Sequence, residues 1–160
     1  MPHITIEHVI LVPLLFIQIL VFPFVASMMA SNWADSYRDA ALKDAANHLA
    51  STIQQLYLSV NRREISAGNV TQASTLPPTI ESYPYTAVGS LNSPSTPDSS
   101  KILTLSLTLE KVENTATANA VLGPNVLWEE ESIFQSTSPN ASIEVQKFAN
   151  GTLLFSFGGG

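Results

Sequence analysis

Hydrophobic positions run almost unbroken through the start of this chain and only later settle into regular patterns. From His8 to Asn32 there is no Asp, Glu, Lys or Arg. The core of that run, Val9 to Ala30, reads VILVPLLFIQILVFPFVASMMA. A helix of this length, rising about 1.5 Å per residue, covers roughly the 30 Å hydrocarbon core of a bilayer. It exceeds the apolar region of about 7–15 residues usual in a secretory signal, and MPHITIEH lacks the positive start of one. Release by cleavage near Ser27, after the small residues Val25 and Ala26, is the competing reading. Pro13 and Pro23 are compatible with a membrane helix, where neighbours re-satisfy freed carbonyls. Gln18 is the one strongly polar side chain near the middle and would gain from an amide on another helix. Trp33 and Tyr37 come next, where interfacial aromatics sit.

The helical pattern continues from Ser31 to Ile65, rich in alanine and free of Pro and Gly. Leu42, Ala46, Leu49, Ile53, Leu56 and Val60 recur at spacings of four and three. Such a stripe suits packing on another helix or on a sheet. One long helix is expected from about Ile6 to about Arg63. Arg62 and Arg63 would favour the negative end of its dipole, and Gly68 would stop it.

Beyond the helix the period changes from 3.6 to two. Pro77, Pro78, Pro84, Pro94 and Pro97 exclude helix between residues 69 and 100. One strand is expected there, Tyr85 to Leu91, with a loop from Asn92 to Ser100. Leu103, Leu105, Leu107 and Leu109 alternate with Thr104, Ser106, Thr108 and Glu110, which predicts one buried and one wet face. Further strands are expected over Thr115 to Leu122, Val126 to Phe134, Ile143 to Phe148 and Thr152 to Phe157. Gly123, Pro124 and Asn125 read as a turn, and Asn150-Gly151 as a two-residue hairpin turn. The expected fold class is α+β: a long N-terminal helix, transmembrane then amphipathic, packed on or leading to a five- to six-strand antiparallel sheet or sandwich. The segments are an N-terminal flank (1–8), a membrane helix (9–30), its amphipathic continuation (31–65), Pro/Ser/Thr-rich loops with one strand (66–100) and a β-domain (101–160). Gly158, Gly159 and Gly160 read as a frayed end.

Composition narrows the function. The net charge of −6 argues against nucleic acid as a partner, and the absence of cysteine excludes thiolate chemistry and disulfides. Charged residues are 12% of the chain, about half the usual share. No P-loop, dinucleotide fingerprint, paired-histidine zinc helix or nucleophile elbow occurs, so no enzyme, cofactor, metal or small-molecule substrate is expected. His48 reads as a solvated or packed imidazole, and His3 and His8 are poorly spaced for a metal. Glu129, Glu130 and Glu131 fall within an expected strand, with Glu129 and Glu131 on one face. They read as a solvated edge that discourages strand-to-strand association. Three glycosylation sequons start at Asn69, Asn140 and Asn150, all in expected loops or turns. Arg38 and Lys43 slightly favour an inside location for the chain beyond the membrane helix, but Asp35, Asp39 and Asp44 are interleaved with them. The low lysine content, the abundant Ser, Thr and Asn and the sequons favour an extracytoplasmic β-domain.

In architecture the whole chain resembles the type IV pilin superfamily, including archaeal pilins and related membrane-anchored filament proteins. Glu7, just ahead of the apolar run, is similar to the acidic residue near the start of mature pilins, and Pro23 to the proline in their apolar half. The resemblance implies a filament subunit or filament-associated protein whose acidic residue pairs with a neighbour's N-terminus. Pilin precursors carry a basic leader with a small residue at the cleavage site; MPHITIEH has neither, so a chain starting near its mature end, or one never processed, is expected. Assembly is assigned to Glu7, Gln18, Pro23, Leu42, Leu49, Ile53 and Leu56. The partners expected are the lipid bilayer and other copies or pilin-like subunits. The alternative is a single-pass accessory or receptor-like protein whose β-domain binds a protein or envelope partner.

Overall fold

A computed structural model describes residues 3–92, 96 and 98–159, with the side chains of residues 3–10 outside the description. Pro94 and Pro97 of the central loop, and Gly160, therefore lie outside the described residues. One helix, α1, runs His3–Val60 and contains Pro13 and Pro23. Eight strands come after it: β1 (Gly68–Ala73), β2 (Tyr85–Asn92), β3 (Lys101–Leu109), β4 (Thr115–Leu122), β5 (Val126–Trp128), β6 (Ile133–Gln135), β7 (Ser142–Lys147) and β8 (Leu153–Gly158). They form two four-stranded sheets, ordered β1-β7-β8-β5 and β4-β3-β2-β6. The fold is α+β, with more strands than the sequence pattern indicates. All named pairs are antiparallel except β5 with β8, which is parallel. By internal contacts the chain forms two compact units, 1–37 and 38–160.

In the second unit the helical stripe covers the sheets. Leu42, Ala46, Leu49, Ile53, Leu56 and Val60 join one hydrophobic core with the inward residues of both sheets. On β3 and β4 the register sets large residues against small ones: Leu103 opposite Ala120, Leu105 opposite Ala118 and Leu107 opposite Ala116. The alanines leave room for a helix, and α1 itself contributes Ala45, Ala46 and Ala50 to the core. The helix runs along β4 lengthwise. Asn114 Nδ2 donates to Asp39 Oδ1 at 2.7 Å, and at the far end Tyr57 fills the space a Cβ on Gly123 would need. Asp39 to Tyr57 is about 27 Å of helix and Asn114 to Gly123 about 30 Å of strand, so the two match in length. Across the sandwich the Trp128 indole lies against Gly89, where no Cβ would fit, and meets the Phe157 ring edge-on at 4.9 Å.

The structure corrects several expectations. The helix stops at Val60, not near Arg63, and Gly68 opens β1 instead of stopping α1. The cation at its C-terminus is Lys147, whose Nζ donates to the carbonyls of Val60 (2.8 Å) and Arg62 (2.7 Å). A lysine there satisfies the Val60 carbonyl, which the helix leaves without a partner, and complements the helix dipole. Strand β1 falls where the sequence pattern predicts loop. All six of its residues are exposed, so it carries no alternation to read; its pairing with β7 makes it a strand. The stretch Val126 to Phe134 is two short strands in different sheets, with Glu129, Glu130 and Glu131 exposed in the turn between them. Glu129 and Glu131 therefore share no strand face. The β7–β8 connection is a three-residue loop, not a two-residue turn. Phe148 N donates to Thr152 O at 2.9 Å and Gly151 N to Phe148 O at 3.0 Å, with Gly151 at φ +83°. That pattern is a turn ending in a left-handed glycine, which is the usual three-residue hairpin solution.

Candidate assembly surface

From Leu11 onward the first unit is an apolar helix with exposed side chains. Its large hydrophobic residues from Leu11 to Met29 are between 45% (Val25) and 77% (Phe22) exposed. α1 is long and apolar enough to cross a membrane, and none of its apolar window is buried. Withdrawing each such side chain from water would be worth about 1.5–3 kcal/mol. Gln18 lies with Leu15, Ile19, Phe22 and Pro23 around a shallow hollow of about 510 Å³. Proline has no N–H, so Pro23 leaves the Ile19 carbonyl without its ordinary helical donor. The hollow thus holds an amide and an under-satisfied carbonyl within one turn of each other. Trp33 and Tyr37 stack one turn apart, centroids 6.2 Å apart, where the apolar stretch ends.

The assembly residues read from the sequence divide into two groups. Gln18 and Pro23 lie on the exposed helix, and Glu7 lies in α1 with its side chain outside the described residues, as are those of His3 and His8. Leu42, Leu49, Ile53 and Leu56 are buried in the chain's own core, Leu49 at 2% exposure, and have no surface to offer another copy. The sheets of the same chain already cover that face, so these four residues serve the chain's own fold and not assembly. His48 is exposed. Asn69, Asn140 and Asn150 are all exposed, although Asn69 stands in β1 and not in a loop. Compared with protein-family models, curated proteins and solved structures, the chain matches none.

Sequence reasoning missed two features that tie α1 to the sheets. At the start of the second unit, Arg38 Nε donates to Glu81 Oε2 at 2.7 Å and its guanidinium lies 5.2 Å from the Tyr83 ring centre. Glu81 and Ser82 form the tip of a tight turn closed by reciprocal Ile80–Tyr83 bonds, and both have positive φ (47° and 73°). Positive φ at two residues that are not glycine costs on the order of 1–3 kcal/mol each. At the other end, Asn125 Nδ2 donates to Asn61 Oδ1 (2.9 Å) and to the Gly151 carbonyl (2.8 Å), beside the Lys147 contacts. Nothing in the local sequence marks these partners, which are 26 to 87 residues apart. Among the described residues no group of three or more His, Asp or Glu side chains gathers into a metal site.

Proposed function

We propose that this chain is a non-enzymatic, membrane-anchored structural protein of the cell surface, built and used like a pilin subunit or a filament-associated pilin-like protein. One observation carries the reading. Within a single helix, the large apolar side chains from Leu11 to Tyr37 are exposed, while Leu42, Leu49, Ile53, Leu56 and Val60 are buried in the chain's own β-domain and Leu58 alone of the large aliphatic side chains beyond Arg38 stays exposed. The first half therefore needs lipid, or other copies of itself, as its solvent. The Gln18 amide and the Ile19 carbonyl freed by Pro23 supply polar groups that adjoining helices could satisfy. The long apolar helix leading into β-sheets has the order of elements of that superfamily. On this reading the β-domain faces outward and Glu7 pairs with the N-terminus of a neighbouring copy.

The test is mechanical shearing of cells that make the protein, with immunoblotting of the sheared and membrane fractions. A filament subunit appears in the sheared material. Glu7→Lys should remove it from that fraction while the β-domain keeps its near-ultraviolet circular dichroism; unchanged yield in Glu7→Lys would refute the role of Glu7. Full retention of the wild type in the membrane would instead favour an anchored accessory or receptor-like protein whose β-domain binds a partner.

A further inference from the structure

We infer that Asn150, alone among the three sequons, is the attachment site of an N-linked glycan. This rests on the extracytoplasmic placement of the β-domain proposed above. The three sites differ in ways the sequence does not reveal. Asn150 stands exposed at the tip of the β7–β8 hairpin, and its Oδ1 accepts from Thr152 N at 3.0 Å. That turn folds the sequon back on itself and occupies the side-chain oxygen, while Nδ2 makes no hydrogen bond to the described residues. The nitrogen that must become the nucleophile is thus presented outward, with the third sequon residue held beside it. Asn140 is exposed, but its partner Ser142 is 5% exposed, in register with Gly158 in β8. Although Ser142 borders an open hollow with Asn140, so little of it is exposed that a transferase working on the folded domain meets its hydroxyl less readily than that of Thr152. Asn69 and Thr71 are both exposed, yet they lie in an extended strand paired to Gln146 and Glu144. Extended geometry holds them roughly 6.6 Å apart along the chain and forbids the folded-back turn.

The surface beside Asn150 has room and chemistry for a sugar. A hollow of about 680 Å³ is lined by Asn150, Phe148, Ile65, Arg63 and Asn61 among others. Phe148 is 39% exposed and offers an apolar ring to the C–H face of a pyranose. Arg63 and the amides offer hydrogen bonds to its hydroxyls. The donor required is an oligosaccharide carried on a polyprenyl phosphate or diphosphate. In the transfer, a bond forms between Asn150 Nδ2 and C1 of the first sugar as the bond from C1 to the phosphate oxygen breaks. The lipid phosphate leaves with the electron pair, and the displaced amide proton passes to a base of the transferase.

The experiment is peptide mass spectrometry on the full chain purified from the cells that naturally make it, beside N150Q, N69Q and N140Q. A second variant, T152A, keeps Asn150 and the backbone donor of its turn but breaks the sequon, which separates loss of acceptor from loss of fold. The expected result is a hexose-containing mass increment on the Asn150 peptide, abolished in N150Q and T152A and retained in N69Q and N140Q. An increment on Asn69 or Asn140, with or without one on Asn150, overturns the inference and leaves the outward placement standing. Bare sequons throughout overturn it as well. Protease added to intact cells then tells whether the placement fails with it, since a protected β-domain removes both.

Discussion

Tyr85 sits at the first position of β2 with its ring 1% exposed, stacked 6.4 Å from Phe134, and its hydroxyl donates to the Pro77 carbonyl at 2.8 Å. Burial disfavours the phenolate and pushes its pKa from the ordinary 10.0 up to about 12. The folded state therefore holds a proton that the unfolded chain gives up between pH 10 and about 12. Its contribution to stability is complete below pH 10 and is lost as pH rises toward 12. Urea unfolding at pH 9 and at pH 11.5 should show a lower midpoint at the higher pH. In Tyr85→Phe that difference should shrink, with the midpoint at pH 9 lower through loss of a hydrogen bond worth about 1 kcal/mol. The same residue anchors a buried polar contact, since Tyr85 N donates to Ser136 Oγ, which in turn donates to the Pro78 carbonyl. Neither Ser136 nor the paired prolines announce that link in the sequence. A serine that reads as loop polarity is here 8% exposed and satisfied on both sides.

At the scale of elements, α1 obeys one helical period but meets two different surroundings. Among the described residues, the apolar side chains of its first half are exposed, and the stripe of its second half joins the core. Equal substitutions should therefore give unequal effects. Leu49→Ala removes side-chain volume from the packed core and should cost about 2–5 kcal/mol of the β-domain's stability. Leu15→Ala removes the same atoms from an exposed surface and should leave that stability within about 0.5 kcal/mol. Chemical denaturation of the full chain in detergent, monitored by the fluorescence of Trp128 in a Trp33→Phe background, reads both; an equal loss would contradict the division. The strands show the complementary lesson. β3 is legible because Leu103, Leu105, Leu107 and Leu109 bury one face against a helix, which imposes period two. β1 is not, because an edge strand with neither face buried needs only backbone pairing, and pairing leaves no mark on side-chain polarity.

For the whole molecule, the core that unites both sheets lies entirely between Leu42 and Phe157. Among the described residues, removal of residues 1–37 takes away exposed apolar helix and no buried core residue. The remaining chain should fold, stay soluble without detergent and unfold cooperatively, with the helical signal reduced in circular dichroism. Aggregation of that fragment, or a non-cooperative melt, would mean that the apolar helix supports the domain and does not merely anchor it. The same division predicts that the full chain partitions into liposomes and the fragment does not.

The amino-acid order by itself determined the apolar run, the single long helix, the buried stripe and the strands with two-sided contrast, because each depends on a repeat between neighbours a few residues apart. Charge and the lack of cysteine came from composition alone. Only the tertiary structure decided that the stripe of Leu42, Leu49, Ile53 and Leu56 serves the chain's own sheets, that Lys147 closes the helix, and that Val126 to Phe134 divides between two sheets. It also distinguished three sequons that read alike, through the burial of Ser142 and the turn at Asn150. The physical reason is common to all of these. A periodic pattern states that a face must be covered, but what covers it, and which distant donor meets which carbonyl, depends on contacts between residues far apart in the chain.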